Sequence, residues 1–128
     1  STGAAITITK ATHAGRITFL GATEGADLKH LLPATPTAGD TYEFVYTGDG
    51  AAGHDIQFDG QEAEFLGNII HDDSNADDVV VNCNGTNEDL LTLTEPTAFH
   101  VKFVAINSGQ YLVSGHQAGA SAPTCTNG

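Results

Sequence analysis

This chain of 128 residues has no Met, no Trp and only four Lys and Arg residues against sixteen Asp and Glu. The shortage of positive charge excludes the basic patch that a nucleic-acid backbone requires, and the net charge of −12 disfavours anionic membranes as well. No apolar run approaches the roughly 18–20 residues of a spanning helix. The segment Ser1-Thr-Gly-Ala-Ala5 has neither a positively charged start nor an apolar stretch, so no secretory signal is expected. With three Tyr and six Phe, the packing falls mostly to Leu, Ile, Val, Phe and Ala, volumes that suit a thin two-layer core supported by oligomer contacts. Cys83 and Cys125 are too few for a disulfide framework. Either they pair, pinning the C-terminal segment to the strand at Val79–Cys83 once the protein has left a reducing cytoplasm, or they are two unrelated thiols.

What the chain does have is alternation. Phe99, Val101, Phe103 and Ala105 alternate with His100, Lys102, Val104 and Ile106, the period of a strand with one buried face. Asn107-Ser-Gly109 supplies turn residues, and Tyr111-Leu-Val113 returns, closing a hairpin at Gly115. Thr41–Thr47 places Tyr42, Phe44 and Tyr46 on one face, and His54–Asp59 places Ile56 and Phe58 on one face. Ala5–Lys10 and Arg16–Leu20 read as a strand and its returning partner across a turn at Thr12–Gly15. Asp27–Leu32 is read as a strand ahead of Pro33. Further strands are expected at Phe65–Ile70, with a bulge at Gly67, and at Val79–Cys83 and Leu90–Leu93. The fold class is therefore all-β: a single antiparallel β-sandwich or partly open barrel of about nine to ten short strands. One domain spans residues 1–128, with 116–128 expected as a flexible tail. Tyr42, Phe44, Ile56, Phe58, Phe65, Val101 and Phe103 are the expected core.

No arrangement of residues makes a catalytic, cofactor or metal site, and no enzyme activity is expected. Asp73-Ser-Asn-Ala-Asp77 begins like a calcium loop, but Asp78 and Asn84 stand where such a loop needs Gly and Glu, so an acidic turn is expected. His13, His30, His54, His71, His100 and His116 lie in separate segments without zinc-motif spacing. Ser108 and Ser114 sit in hairpin contexts, and Cys83 has no basic neighbour to activate it. Glu62/Glu64 and Asp55/Asp59 are carboxylate pairs of a kind that sixteen acids produce by chance. Asn84-Gly-Thr86 is read as a turn, and Gly48–Gly53 lacks the Lys of a phosphate loop.

The order of short motifs carries more. His13-Ala-Gly15, Leu32-Pro-Ala34, Gly39-Asp-Thr-Tyr-Glu-Phe-Val45, Gly67-Asn-Ile-Ile70, Leu91-Thr-Leu93 and Ser108-Gly-Gln-Tyr-Leu-Val-Ser-Gly115 occur in that sequence. This resembles small virion structural proteins of tailed phages, of the marine and cyanobacterial type, although Tyr111 stands where an indole is usual. The resemblance spans roughly residues 7–115 and implies a capsid decoration, or cement, protein without enzymatic role. Its implied partners are the major capsid protein and copies of itself in a homotrimer. Its implied place is the capsid surface of the virion, after synthesis in the host cytoplasm. The rival expectation is a carbohydrate- or host-surface-binding β-sandwich, with Tyr42, Tyr46 and Tyr111 as an exposed stacking platform and Asp72–Asp78 as a calcium-held rim.

Overall fold

Period-two alternation becomes eleven strands and one short helix in the computed structural model, which describes residues 2–20, 27–47, 54–73 and 76–128. In chain order these are β1 (Thr2–Thr7), α1 (Lys10–His13), β2 (Arg16–Leu20), β3 (Asp27–Leu31), β4 (Thr41–Tyr46) and β5 (Ile56–Asp59). They continue as β6 (Glu64–Asp73), β7 (Val79–Asn84), β8 (Leu90–Leu93), β9 (Ala98–Asn107), β10 (Gln110–Gly119) and β11 (Thr124–Thr126). Two sheets result, one of five strands in the order β1-β3-β5-β8-β11 and one of six in the order β2-β4-β9-β10-β6-β7. They pack together without closing into a barrel, so the fold is the expected all-β sandwich.

The pairing is mixed instead of purely antiparallel. From β1 to β6 the chain changes sheet at every step, so successive strands of one sheet run the same way. β1–β3, β3–β5, β2–β4 and β6–β10 are parallel, and the remaining pairs are antiparallel. β2 is accordingly not the hairpin partner of β1. The crossing between them is α1, where Thr9 accepts the Thr12 N–H and Gly15 N–H bonds the Thr41 carbonyl at 2.8 Å. Only β6–β7 and β9–β10 pair as neighbours in the chain. The Asn107–Gly109 turn between β9 and β10 is the one expected, with Gly109 N–H bonded to the Asn107 side chain.

The core lies between the sheets. All seven expected core residues are buried, joined by Leu32, Tyr46, Ile69, Leu91, Leu93, Phe99, Tyr111 and others in one apolar cluster. Phe58 of the smaller sheet meets Phe44, Phe103 and Phe99 of the larger at ring-centroid distances of 4.7, 5.2 and 6.0 Å. Gly67 and Gly115 face inward, at φ +138° and +144°, where any Cβ would collide with the Val113 or His100 carbonyl oxygen. Gly67 therefore marks a close approach of backbones; β6 keeps unbroken register with β10 across it, so the expected bulge is absent there. Register shifts fall instead between β9 and β10, at Gln110/Tyr111, and between β1 and β3, at Thr2/Ala5.

Residues 116–128 are not a flexible tail. They complete β10, form β11 beside β8, and carry Cys125 into a disulfide with Cys83. The bond joins β7 and β11, the outermost strands on one side of the two sheets, across a Cα–Cα distance of 5.4 Å. The Gly128 N–H is further held by the Asp89 carboxylate, and Asp89 N–H bonds the Thr126 carbonyl. Order here comes from a covalent tether and ladder bonds, not from apolar periodicity.

Two outcomes are expected in urea titrations. Phe103→Ala should cost about 3–5 kcal/mol, because the ring is fully buried against four others. Replacing both Cys83 and Cys125 by Ala should cost about 4 kcal/mol, the loop-closure value for a cross-link of sequence separation 42.

Candidate functional site: the outer face of the six-stranded sheet

Residues at alternate positions of a strand share a face, and the register fixes which of them lie side by side. On the outside of the six-stranded sheet, one row runs Phe19–Val45–His100–His116–Ile70–Val80 across all six strands. The next row is Ile17–Glu43–Lys102–Ser114–Asn68–Asn82. A third is Thr41–Val104–Leu112–Leu66–Asn84. Two mainly apolar rows thus flank a polar one. Phe19 is 75% exposed, and Ile17, Leu66, Ile70, Val80 and Leu112 are also solvent-facing.

The opposite outer face, on the five-stranded sheet, is mainly polar, with Leu31 and Leu90 half-buried in the row of Asp59. Lys29 pairs with Asp59 at 3.2 Å, Gln57 donates to Thr92, and Thr124 and Thr126 stand exposed beyond them. The charges do not separate in the same way: the acids in register on this face are Asp27 and Asp59, beside Lys29. Among the described residues, the acids in register on the apolar face are Glu43, bonded to His100, and Glu64 and Asp72 at the two ends of β6. Glu64 is itself engaged by the Asn87 N–H. A chain of net charge −12 therefore keeps few of its acids on either outer face.

The other residues singled out in the sequence take structural roles. Asp55 accepts the Glu95 N–H, and Asp59 accepts the Gln61 N–H as well as its lysine. Asn84 accepts the Thr86 N–H, the expected turn. Glu62 is exposed, Ser108 lies in the β9–β10 turn and Ser114 on the outer face. Tyr42, Tyr46 and Tyr111 are all buried, so they form no stacking platform. Burial raises the Tyr111 phenol well above its usual range, and its hydroxyl donates to the Pro33 carbonyl at 2.8 Å. Gly48–Gly53 and residues 74–75 of the Asp72–Asp78 segment lie outside the described residues.

The histidines divide. His13 caps α1, His54 and His71 stand 3.4 and 3.5 Å from Asp27 and Asp73, and His30 is buried. Asp27 accepts the Asp55 N–H, which holds its carboxyl below the usual range. Only His100 and His116 come together, as edge-to-face cross-strand neighbours on the apolar face with centroids 6.0 Å apart. Among the described residues no three His, Cys, Asp or Glu side chains are grouped to hold a metal ion. The sequence did not single out this face. Ile17 and Phe19 alternate correctly for a buried face, yet β2 is an edge strand and turns them outward.

His30 donates from Nδ1 to the Gln57 carbonyl and stacks on Phe58 at 5.0 Å. Burial lowers its pKa from the ordinary value of about 6.5, outweighing the hydrogen bond that acts the other way. Compared with protein-family models, curated proteins and solved structures, the chain matches none of them. For His30 the folded state holds the proton less tightly than the unfolded state. Its contribution to stability is therefore full above about pH 6.5 and is lost as pH falls toward the lower folded value. Denaturant midpoints at pH 7 and pH 5 should show a smaller acid loss in His30→Leu than in the wild type.

Proposed function

We propose that this chain is a capsid decoration protein of a tailed phage, binding the outside of the head as an oligomer and stabilising the assembled shell. The observation that carries the reading is the pairing of a stapled sandwich with one broad outer face, crossed by two mainly apolar rows, on a strongly acidic molecule. Such a face serves adhesion between proteins, and the acids around it serve solubility. The phage-like motif order supplies the identity of the surface to which the protein adheres.

The motifs also have physical work in this fold that suits a rigid clamp. Gly15 bonds Thr41, Tyr111 bonds Pro33, and Gly67 lets β6 approach β10, so these motifs join distant segments. A ligand that binds only the assembled state stabilises it by mass action, and several weak contacts from one oligomer multiply that effect. The proposed partner is the major capsid protein, and the proposed oligomer is a homotrimer made in the host cytoplasm and carried on the virion. Formation of the Cys83–Cys125 bond after release would then tighten a protein already in place.

Exposed charges lose their attraction over a Debye length of about 8 Å at physiological salt and about 3 Å at 1 M. Docking that rests on apolar contact should survive this. The chain is therefore expected to co-sediment with heads undiminished as salt rises toward 1 M. Absence from purified particles, or complete release at moderate salt, would overturn the proposal in its present form.

A further inference from the structure

We propose that His100 and His116 together bind a divalent transition-metal ion of the zinc class, with Glu43 orienting His100. The inference concerns this chain alone and goes beyond the decoration reading. His100 of β9 and His116 of β10 are register partners across an antiparallel pair, with ring centroids 6.0 Å apart. An ion bonded to an imidazole nitrogen at about 2.0–2.1 Å lies about 3.2 Å from the ring centre, so one ion spans two rings whose centres are within about 6.4 Å. The pair meets that condition. The rings stand edge to face, at 84°. His116 is exposed and the His100 side chain is 42% exposed, so a turn about the side-chain bonds brings one nitrogen of each ring toward a common point.

Glu43 supplies the partner that metal-binding histidines generally have. Its carboxylate accepts a hydrogen bond from Nε2 of His100, which keeps the proton on that nitrogen and leaves the Nδ1 lone pair for the ion. A carboxylate so placed also makes the imidazole a stronger donor. Glu43 orients instead of binding, in keeping with the absence, among the described residues, of any three His, Cys, Asp or Glu side chains grouped around one ion. His116 makes no hydrogen bond among the described residues, so its lone pair is not engaged elsewhere. Val45 and Ile70 flank the two rings in their own row and limit the approach of water along the sheet. The positive charge of Lys102, in the next row, is set against Glu43, its register partner. Two imidazole donors suit zinc, nickel and copper, whereas calcium and magnesium require oxygen ligands. Water fills the remaining positions, so the site is open and its affinity modest.

The test uses the purified chain, so that its outcome is separate from that of head binding. Isothermal titration with zinc chloride should show binding, and calcium chloride at equal concentration should show none. His100→Ala and His116→Ala should each weaken zinc binding by at least about 10-fold, because a single imidazole is left. Glu43→Gln should weaken it roughly 10-fold, the lower end of what losing an orienting carboxylate costs. His54→Ala, at a histidine that also stands beside a carboxylate, should leave binding unchanged. Circular dichroism confirms that each variant is folded. Copper(II) added below one equivalent should broaden nuclear magnetic resonance signals first at His100, His116 and their row neighbours. No zinc binding below about 1 mM, an affinity of only about 4 kcal/mol, overturns the proposal. So does binding that survives His100→Ala or His116→Ala in folded protein, binding lost only in His54→Ala, an equal response to calcium, or broadening centred on another part of the molecule. Zinc binding unchanged in Glu43→Gln overturns the role given to that carboxylate.

Discussion

The rings of Phe44, Phe58, Phe99 and Phe103 meet between the two sheets, and the arrangement of every other element follows from keeping them there. Phe58 is contributed by the smaller sheet and the other three by the larger, so their contacts are what make two sheets into one sandwich. Such a seam excludes water only if both sides of the sandwich are shut. On one side the chain does this itself, running from β1 through α1 into β2. On the other the disulfide does it, tying β7 to β11. These two closures tie the sheets together at both sides, and their outer faces are the surfaces turned toward other molecules.

Those outer faces differ because the residues opposite the core were chosen differently. On the five-stranded sheet they are Lys29, Gln57, Asp59 and Thr92, which satisfy one another in pairs. On the six-stranded sheet Val104, Leu112 and Leu66 are neighbours in one row, and Phe19–Val45 and Ile70–Val80 pair in another on either side of His100 and His116, with a polar row between the two. Isolated exposed apolar residues are ordinary on protein surfaces; contiguity across several strands is what gives these rows meaning.

The strands with one wet face were legible in the sequence. β4, β5, β9 and β10 alternate cleanly, and the core positions read from them are all buried. Strand partners were not legible, because alternation reports which side of a strand is apolar and says nothing of its neighbour. The parallel pairs of β1, β3 and β5 join residues far apart in the chain, and no turn chemistry announces them. The candidate site escaped for a related reason. Where both faces of a strand are apolar, as at Ile69-Ile70 and Val79-Val80-Val81, a sequence reads as a buried run and the outward half is hidden. Ile17 and Phe19 were hidden differently, by an alternation whose apolar side points away from the core. The disulfide stayed open because two cysteines separated by 42 positions carry no geometric information until the sheets are stacked.

The placement of β10 bears on how such a chain is made. It lies inside the larger sheet, with β9 on one flank and β6 on the other, although it is synthesised after both. Until it emerges from the ribosome, β6 and β9 have no bridge between them. β6 and β7 therefore cannot join the larger sheet until residues 110–119 have been made. A messenger truncated within residues 110–119 would yield no smaller working version of the protein. It would yield unpaired strands, ready to join those of any neighbouring chain.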